Sequence, residues 1–406
     1  MTKEKKSSMI GWIFICCWLT YMTAYLCRVN FSSAMDAFGK EKGFSPDRLG
    51  NVGAVFFVVY ACGQLINGYI SDRVAANRYM LLALCGTMIS NLGMAFVADY
   101  RWMFLFWGLN GCFQSMFWCT MIRVLAQKIP SSKRAAVSAG LSLTMPVAYF
   151  ISWGLMGHLL DGASVKWYFL IPALICLPLI GAWLLLSRKI SFQEEHEKTQ
   201  KPGILETIRF LGKEKLWWIA AVCLFHGLLK EGAAYWLPLL IAGMDEVQFV
   251  SPHLLSCILP VTGMMGVFFS KALLRDGRKN PYLSLMVLVG ATGILCLGLI
   301  LSHGGLITIG MIALVSGLCS GANTILVSFL PMQYTEKNMV ASVVGFFDFT
   351  IYVGAAISTY VLGKVLSTAG FGPLPWIWLG ACMLSILVLL PPWLEKRKEK
   401  QVTIAS

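Results

Sequence analysis

Apolar runs of about 20 residues or more, divided by short polar stretches, follow one another from Met9 to Leu394. They occupy 9–38, 49–71, 79–99, 102–126, 135–160, 167–187, 216–243, 252–274, 281–302, 305–330, 338–366 and 374–394. A bilayer core of roughly 30 Å takes about 20 helical residues, so the pattern predicts twelve membrane-spanning helices. The first, seventh and eleventh runs are long enough to tilt or to extend past the core. The longest polar stretch, Arg188 to Lys215, is rich in Glu, Lys and Gln and carries a Pro202-Gly203 break. It separates six spans from six, and Ile204–Leu211 within it reads as a short amphipathic helix. The predicted organisation is a bundle over 1–187, a linker over 188–215 and a second bundle over 216–406.

Composition agrees with this pattern. Of 406 residues, 57% are hydrophobic and 13% charged, which places the chain among polytopic membrane proteins. The net charge of +13 suggests nucleic acid until its distribution is considered. By the span assignment, 23 of the 33 Lys and Arg fall at the N-terminus, in the even-numbered loops and at the C-terminus. Five fall in the odd-numbered loops and five within spans: Arg28, Arg123 and Lys230, with Lys271 and Lys364 close to the ends of theirs. That bias places both termini in the cytoplasm, so the partner is the lipid bilayer and nucleic acid is excluded. Lys3, Lys5 and Lys6 resemble the start of a signal peptide, yet no small-residue cleavage site ends the first run, so it is expected to be retained. The thirteen cysteines form no CxxC pair and no Cys/His cluster with zinc spacing, and read as small packing residues.

Two of the intrahelical cations carry the functional signal. Arg28 and Lys230 lie 202 positions apart at corresponding places in the two halves. A cation in hydrocarbon costs about 2.5–3.5 kcal/mol on insertion scales, so two at matched positions predict an anion site. The halves also share a loop between their second and third helices, Gly68-Tyr-Ile-Ser-Asp72-Arg73 with Arg78, and Arg275-Asp276-Gly277-Arg278-Lys279. Asp72 and Asp276 are 204 residues apart. A parallel repeat of six helices is the plan of transporters whose substrate site lies near the midplane.

Gly68-x-x-x-Asp72-Arg73 followed by Arg78 resembles the loop signature of the major facilitator superfamily. The resemblance implies an all-α membrane protein of twelve transmembrane helices in two six-helix bundles. It also implies gating latches at Asp72, Arg73, Arg78 and Asp276. Within that superfamily three stretches resemble the organophosphate:phosphate antiporter family. They are Ala24-Tyr25-x-x-Arg28-x-Asn30-Phe31, Gly111-Cys-Phe113-Gln114-x-x-x-Trp118-x-x-x-x-Arg123, and Leu228-Leu229-Lys230-x-Gly232-x-x-x-Trp236. Anion:cation symporters share part of the first stretch, and the fourth-helix run favours the antiporters. The resemblance implies alternating-access transport of a small anionic, phosphorylated molecule, exchanged for phosphate. Proton-coupled symport of a carboxylate or sugar acid is the alternative, and a ligand sensor with little transport is a third reading. No cofactor or metal is expected, and the working unit is expected to be a monomer.

By that resemblance Arg28 is the phosphate-binding arginine, and a guanidinium suits the task because it forks two hydrogen bonds onto one oxyanion. Its bland alternative is an arginine that snorkels to the interface. Tyr21 and Tyr25 precede it by seven and three residues, on one helical face, where they either donate to substrate or pack. Lys230 stands where the family has a second arginine. Glu231 and Asp348 lie in the same half; one reading is a structural salt bridge of Lys230 with Asp348, the other a proton taken by Glu231 or Asp348 during the cycle. The lean is that one acid pairs with Lys230 when the site is empty and gives way to the anion. Gln64 and Met145 replace a lysine and a histidine of family members, which makes the pocket less positive and favours a bulkier anion read by Gln64, Asn67, Gln114 and Asn323. His226 is a further coupling candidate, and Arg123 a gate. Tyr352, Trp118 and Trp236 line the pathway or pack, and His158 and Asp161 read as near a loop. Gly304-Gly305 and Gly317-x-x-x-Gly321 lack any Walker or Rossmann context and read as sites of close helix approach. No Ser/His pair, HExxH or Asp-Asp couple supports an enzyme.

Overall fold

The computed structural model describes residues 3–71, 74–128, 140–141, 143–189, 204–243, 255–274, 280–302, 305–334 and 340–405. Helices follow the predicted spans in order. The first half contains α1 (Lys3–Ser33), α2 (Met35–Lys42), α3 (Pro46–Ser71), α4 (Ala76–Phe96), α5 (Tyr100–Gln114) and α6 (Phe117–Lys128). It continues through α7 (Thr144–Tyr149), a π-helical segment (Phe150–Met156), α8 (Gly157–Leu159) and α9 (Lys166–Lys189). The second half contains α10 (Ile204–Lys213), α11 (Trp217–Ala242), α12 (Ile258–Leu274), α13 (Pro281–Leu301) and α14 (Gly305–Asn323). A second π segment (Thr324–Phe329), α15 (Leu330–Met332), α16 (Val340–Ala369) and α17 (Leu374–Ala405) complete it. These helices form two compact units, Met1–Lys198 and Thr199–Ser406.

Among the described residues, eight helices are long and apolar enough to cross a membrane. They correspond to the first, second, third, sixth and ninth to twelfth predicted spans. The eighth span is a shorter apolar helix, Ile258–Leu274. The seventh is α11, whose centre carries His226, Lys230 and Glu231. Large apolar side chains such as Phe96, Ile294 and Leu301 are about three-quarters exposed, as expected of residues that face lipid rather than water.

The structure corrects two continuous spans. The first run was expected to extend through Phe38, but α1 stops at Ser33 and a new helix begins at Met35. Ser32 and Ser33 both donate to the Val29 carbonyl, and Ser33 also donates to the Ser152 carbonyl. Hydroxyls that back-bond in this way compete with the helix ladder. The fourth run is split at Ser115–Met116, where Ser115 Oγ donates to the Cys112 carbonyl at 2.6 Å.

Each unit has its own core. In the first, Cys17, Ala83, Phe117, Met121 and Trp183 are buried together. In the second, Cys223, Leu285, Leu326, Val343 and Phe347 are. The predicted amphipathic helix forms as α10 and docks on the second core through buried Leu211, with Phe210 edge-on to Tyr334 at 5.5 Å. The predicted close approach at Gly317-x-x-x-Gly321 is also present. A Cβ on Gly266 of α12 would fall 1.8 Å from the Gly317 carbonyl oxygen. Outside the membrane-spanning segments, α2 is tied to the start of the sixth span. Glu41 Oε2 accepts from the Val165 amide at 2.7 Å, which holds that carboxyl below its ordinary value of 4.5.

Candidate functional site

In the first unit, helical periodicity puts Tyr21, Tyr25 and Arg28 on one face of α1. Arg28 is 8% exposed. Its Cζ lies over four rings: Tyr60 at 4.9 Å, Phe56 and Phe57 at 5.4 Å each, and Tyr25 at 5.6 Å. Each such contact contributes about 0.5–2 kcal/mol, more as water is excluded. Ring faces therefore hold the guanidinium and offset part of its desolvation. The same face continues as an aromatic wall. Tyr21 packs on Tyr25 at 5.1 Å and on Trp118 at 5.3 Å, and Tyr25 on Tyr149 at 6.2 Å. The structure thus brings Tyr21, Tyr25, Arg28 and Trp118 together. Phe56, Phe57 and Tyr60 of α3 are the residues sequence reasoning missed.

Behind Arg28, four buried amides tie α1 to α4 and α5. Asn110 Nδ2 donates to the Cys27 carbonyl at 2.8 Å, and Asn91 Nδ2 donates to the same oxygen at 3.3 Å. Asn30 Nδ2 donates to Asn91 Oδ1 at 2.8 Å and to the Tyr168 carbonyl at 3.1 Å. Gln114 Nε2 donates to the Ala24 carbonyl at 2.9 Å and to Asn110 Oδ1 at 3.3 Å. Buried polar groups connected in this way fix one arrangement of the helices. Gln114, expected to read substrate, is therefore a member of the ladder that orients the Arg28 turn. Asn67 donates to Ser115 Oγ at 2.6 Å and accepts from the Tyr79 hydroxyl. Gln64 is buried, with Cys119 Sγ 4.0 Å from its Oε1. Met145 lies in α7.

In the second unit, Lys230 lies on a helix pressed backbone to backbone against its neighbour. A Cβ on Gly227 of α11 would fall 1.9 Å from the Ile351 carbonyl oxygen of α16. One on Gly354 of α16 would fall 2.0 Å from the Leu224 carbonyl oxygen. Ser358 Oγ of α16 donates to the Leu228 carbonyl at 2.8 Å. Beside this seam Lys230 Nζ donates to Glu231 Oε1, with both side chains largely buried. Of the two acids the sequence offered to Lys230, Glu231 is in direct contact with it. Asp348 of α16 lies within electrostatic range of Cys223, seven residues before Lys230. Tyr352 is one turn after Asp348 and half-buried.

His226 is one turn before Lys230, on the same face, and 4% exposed. Asn323 of α14 is within hydrogen-bonding reach of its ring, while its Nε2 has no hydrogen-bond partner. Trp236 is fully buried against Tyr235.

The gating candidates are less visible. Asp72, Arg73 and Asp276 lie outside the described residues, as does the side chain of Arg123 on α6. Arg78 is exposed in the first turn of α4. His158 and Asp161 are exposed at the end of the fifth span.

Each unit holds a buried cation suited to an oxyanion: a ring-caged guanidinium beside an aromatic wall in the first, and a carboxylate-held ammonium in the second. A family model described as Major Facilitator Superfamily matches residues 17–359. The chain belongs to the major facilitator superfamily. It is 22% identical to a probable hexose phosphate transport protein of Chlamydia muridarum, over 94% of this chain and 90% of that one. It is 23% identical to a glycerol-3-phosphate transporter of Bacillus subtilis, over 96% and 94%. The membrane sensor protein UhpC of Escherichia coli is 24% identical, over 93% and 91%. Within the superfamily, then, this chain resembles the organophosphate:phosphate antiporter family. The crystal structure of the nucleoside transporter NupG superimposes with a TM-score of 0.73, covering 94% of this chain and 97% of that one at 13% identity. At that identity the likeness shows the fold alone. This chain is a multi-pass membrane transporter and has no enzymatic role.

Proposed function

We propose that this transporter moves a phosphorylated small molecule across the cytoplasmic membrane by alternating access, in exchange for inorganic phosphate. Arg28 supplies the forked anchor for the phosphoryl group, Lys230 supplies a second positive charge, and the Tyr21–Tyr25–Trp118 wall packs against the rest of the substrate. Both termini face the cytoplasm, and the protein works as a monomer.

The observation that carries this reading is the environment of Arg28. A guanidinium 8% exposed within a membrane span, caged by four rings and backed by the amide ladder, is held in place for a task that packing does not require. The relatives named as hexose phosphate and glycerol-3-phosphate transporters support the choice of anion. The relative named as a membrane sensor supports a second reading, ligand binding with little turnover.

Proteoliposomes preloaded with phosphate test the proposal. Uptake of labelled hexose phosphates, glycerol 3-phosphate and sugar acids is measured for the wild type, Arg28→Ala and Lys230→Ala. The expected result is uptake of a phosphorylated substrate stimulated by internal phosphate and lost in both variants. Full uptake by both would overturn the assignment. Binding without uptake would establish the sensor, and uptake of sugar acids alone would replace the phosphoryl group by a carboxylate.

A further inference from the structure

We propose that Glu231 takes up a proton when an anion engages Lys230, so that anion and proton load the site together. This deepens the proposed function and rests on its reading of Lys230 as an anion ligand.

The geometry of the seventh span makes the two events inseparable. Glu231 is 6% exposed and in contact with Lys230 Nζ, so each charge offsets the desolvation of the other. An oxyanion arriving at the ammonium puts a second negative group on one positive one. Glu231 has little freedom to retreat to water. It follows Gly227 by four residues and so shares its helix face, the face closed against the α16 backbone at Ile351. A buried carboxylate whose ammonium is drawn to a second anion is destabilised by several kcal/mol. A proton from water removes that cost: the carboxylate becomes a carboxylic acid, Lys230 stays an ammonium, and no electrons move. Release of the anion reverses both steps.

The charge balance within the spans leads to the same conclusion. By sequence, the six spans of the first half contain no Asp or Glu within 10–33, 49–71, 79–96, 102–126, 143–160 or 167–187. In the second half Glu231 and Asp348 accompany Lys230 well inside their spans, while Lys271 and Lys364 lie within three residues of the ends of theirs. The positive charge that a phosphate dianion needs becomes available when one of those acids is neutralised. A small cavity lies one helical turn from Lys230. His226 Nε2, buried and without a hydrogen-bond partner, lines it with Leu229, Thr292, Cys319 and Ser385, with room for about one water molecule.

Other groups could titrate instead. His226 and Cys223 lie on α11 itself. Among the described residues of the elements packed on α11, the titratable groups in the membrane are Cys319 on α14, Cys382 on α17, and Asp348, Tyr352, Tyr360 and Lys364 on α16. Thiols and phenols stay neutral near pH 7, and Lys364 donates to Tyr360. The rivals are therefore His226 and Asp348.

Calorimetric titration of the purified full-length protein distinguishes them. Glucose 6-phosphate, glycerol 3-phosphate and inorganic phosphate are titrated at pH 8 in buffers of low and high ionisation enthalpy. The expected result is uptake of about one proton per anion bound, with affinity falling about tenfold per pH unit above neutrality. Glu231→Gln is expected to lose the proton uptake and the slope, while His226→Gln and Asp348→Asn keep both. Binding with no buffer dependence in the wild type overturns the inference and leaves the anion site standing. Proton uptake that survives Glu231→Gln, or that disappears with His226 or Asp348, overturns it too. Failure of all three anions to bind overturns both the inference and the site. The wild-type titration decides even where a variant does not fold.

Discussion

Gly227→Ala is the sharpest test of the seam that holds Lys230. The added Cβ would lie 1.9 Å from the Ile351 carbonyl oxygen, 2.7 Å from its carbon and 2.9 Å from its Cα. All three atoms are backbone, so no rotamer change relieves the clash. Restoring ordinary contact needs α11 and α16 to separate by about 1.5 Å. Such overpacking costs about 1–3 kcal/mol. The separation also stretches the 2.8 Å bond from Ser358 Oγ to the Leu228 carbonyl, worth about 1 kcal/mol net. The combined cost of about 2–4 kcal/mol lowers the melting midpoint by on the order of 5–10 °C for a unit of this size. Gly290→Ala on α13 is the control, since a Cβ there meets nothing within 4 Å. Both are purified in one detergent and followed by thermal unfolding and by anion binding. Gly227→Ala should melt well below the control and lose affinity, because Lys230 is less than one turn away. Equal midpoints would refute the close seam.

Three further outcomes follow from the geometry. Arg28→Lys keeps the charge and loses the fork, so anion affinity should fall more than about tenfold while the melting midpoint stays near wild type; binding titration and thermal unfolding read the two effects separately. Asn110→Leu removes a donor to the Cys27 carbonyl and an acceptor for Gln114, and should destabilise the first unit by about 2–3 kcal/mol, measured as a lowered midpoint. Glu41 is held below its ordinary value of 4.5, chiefly by the Val165 amide, so its stabilisation is present above 4.5 and lost as pH falls below it. Glu41→Gln should therefore flatten the decline of the melting midpoint in that acid range and leave the profile near pH 7 unchanged.

The spans were legible because bilayer thickness imposes a length on apolar runs, and that length survives any detail of packing. Breaks within them were not. Ser33 and Ser115 end helices through hydroxyl bonds to carbonyls three or four residues back, and a serine in an apolar run looks the same whether or not it does so. Tyr21 and Tyr25 could be placed beside Arg28 because helical periodicity is a local rule. Phe56, Phe57 and Tyr60 reach Arg28 from another helix, and no spacing in the sequence encodes which face of α3 turns toward α1. The partner of Lys230 was hidden for a different reason. Adjacent residues point about 100° apart on a helix, so Glu231 does not face Lys230 by periodicity. The long lysine side chain closes that gap within α11 itself. The amides at Asn91 and Asn110 were also passed over, because single polar residues in apolar runs carry no motif even when, as here, they converge on one carbonyl.

The two cations are stabilised by different physics, and that difference orders the events of loading. Aromatic faces attract the guanidinium of Arg28 through their quadrupoles. A carboxylate cancels the charge of Lys230 as long as the two remain in contact. Because the first-half spans 10–33, 49–71, 79–96, 102–126, 143–160 and 167–187 contain no Asp or Glu, the contact with Arg28 is the one proposed to need no proton. Engagement of Lys230 requires Glu231 to yield, which makes it the slower and pH-dependent step. On this proposed sequence Lys230→Ala and Glu231→Gln have opposite signatures. Without the ammonium, the anion keeps its Arg28 contact but Glu231 is left as a buried carboxylate, so binding weakens at every pH. Without the carboxylate charge, Lys230 is available at once and binding strengthens most at alkaline pH. Association rates measured by stopped-flow should then show an Arg28-dependent fast phase common to both variants and the wild type. A slow phase that falls with rising pH should appear in the wild type alone. A slow phase that persists unchanged in Glu231→Gln would assign the delay to some other motion and remove the basis for this order.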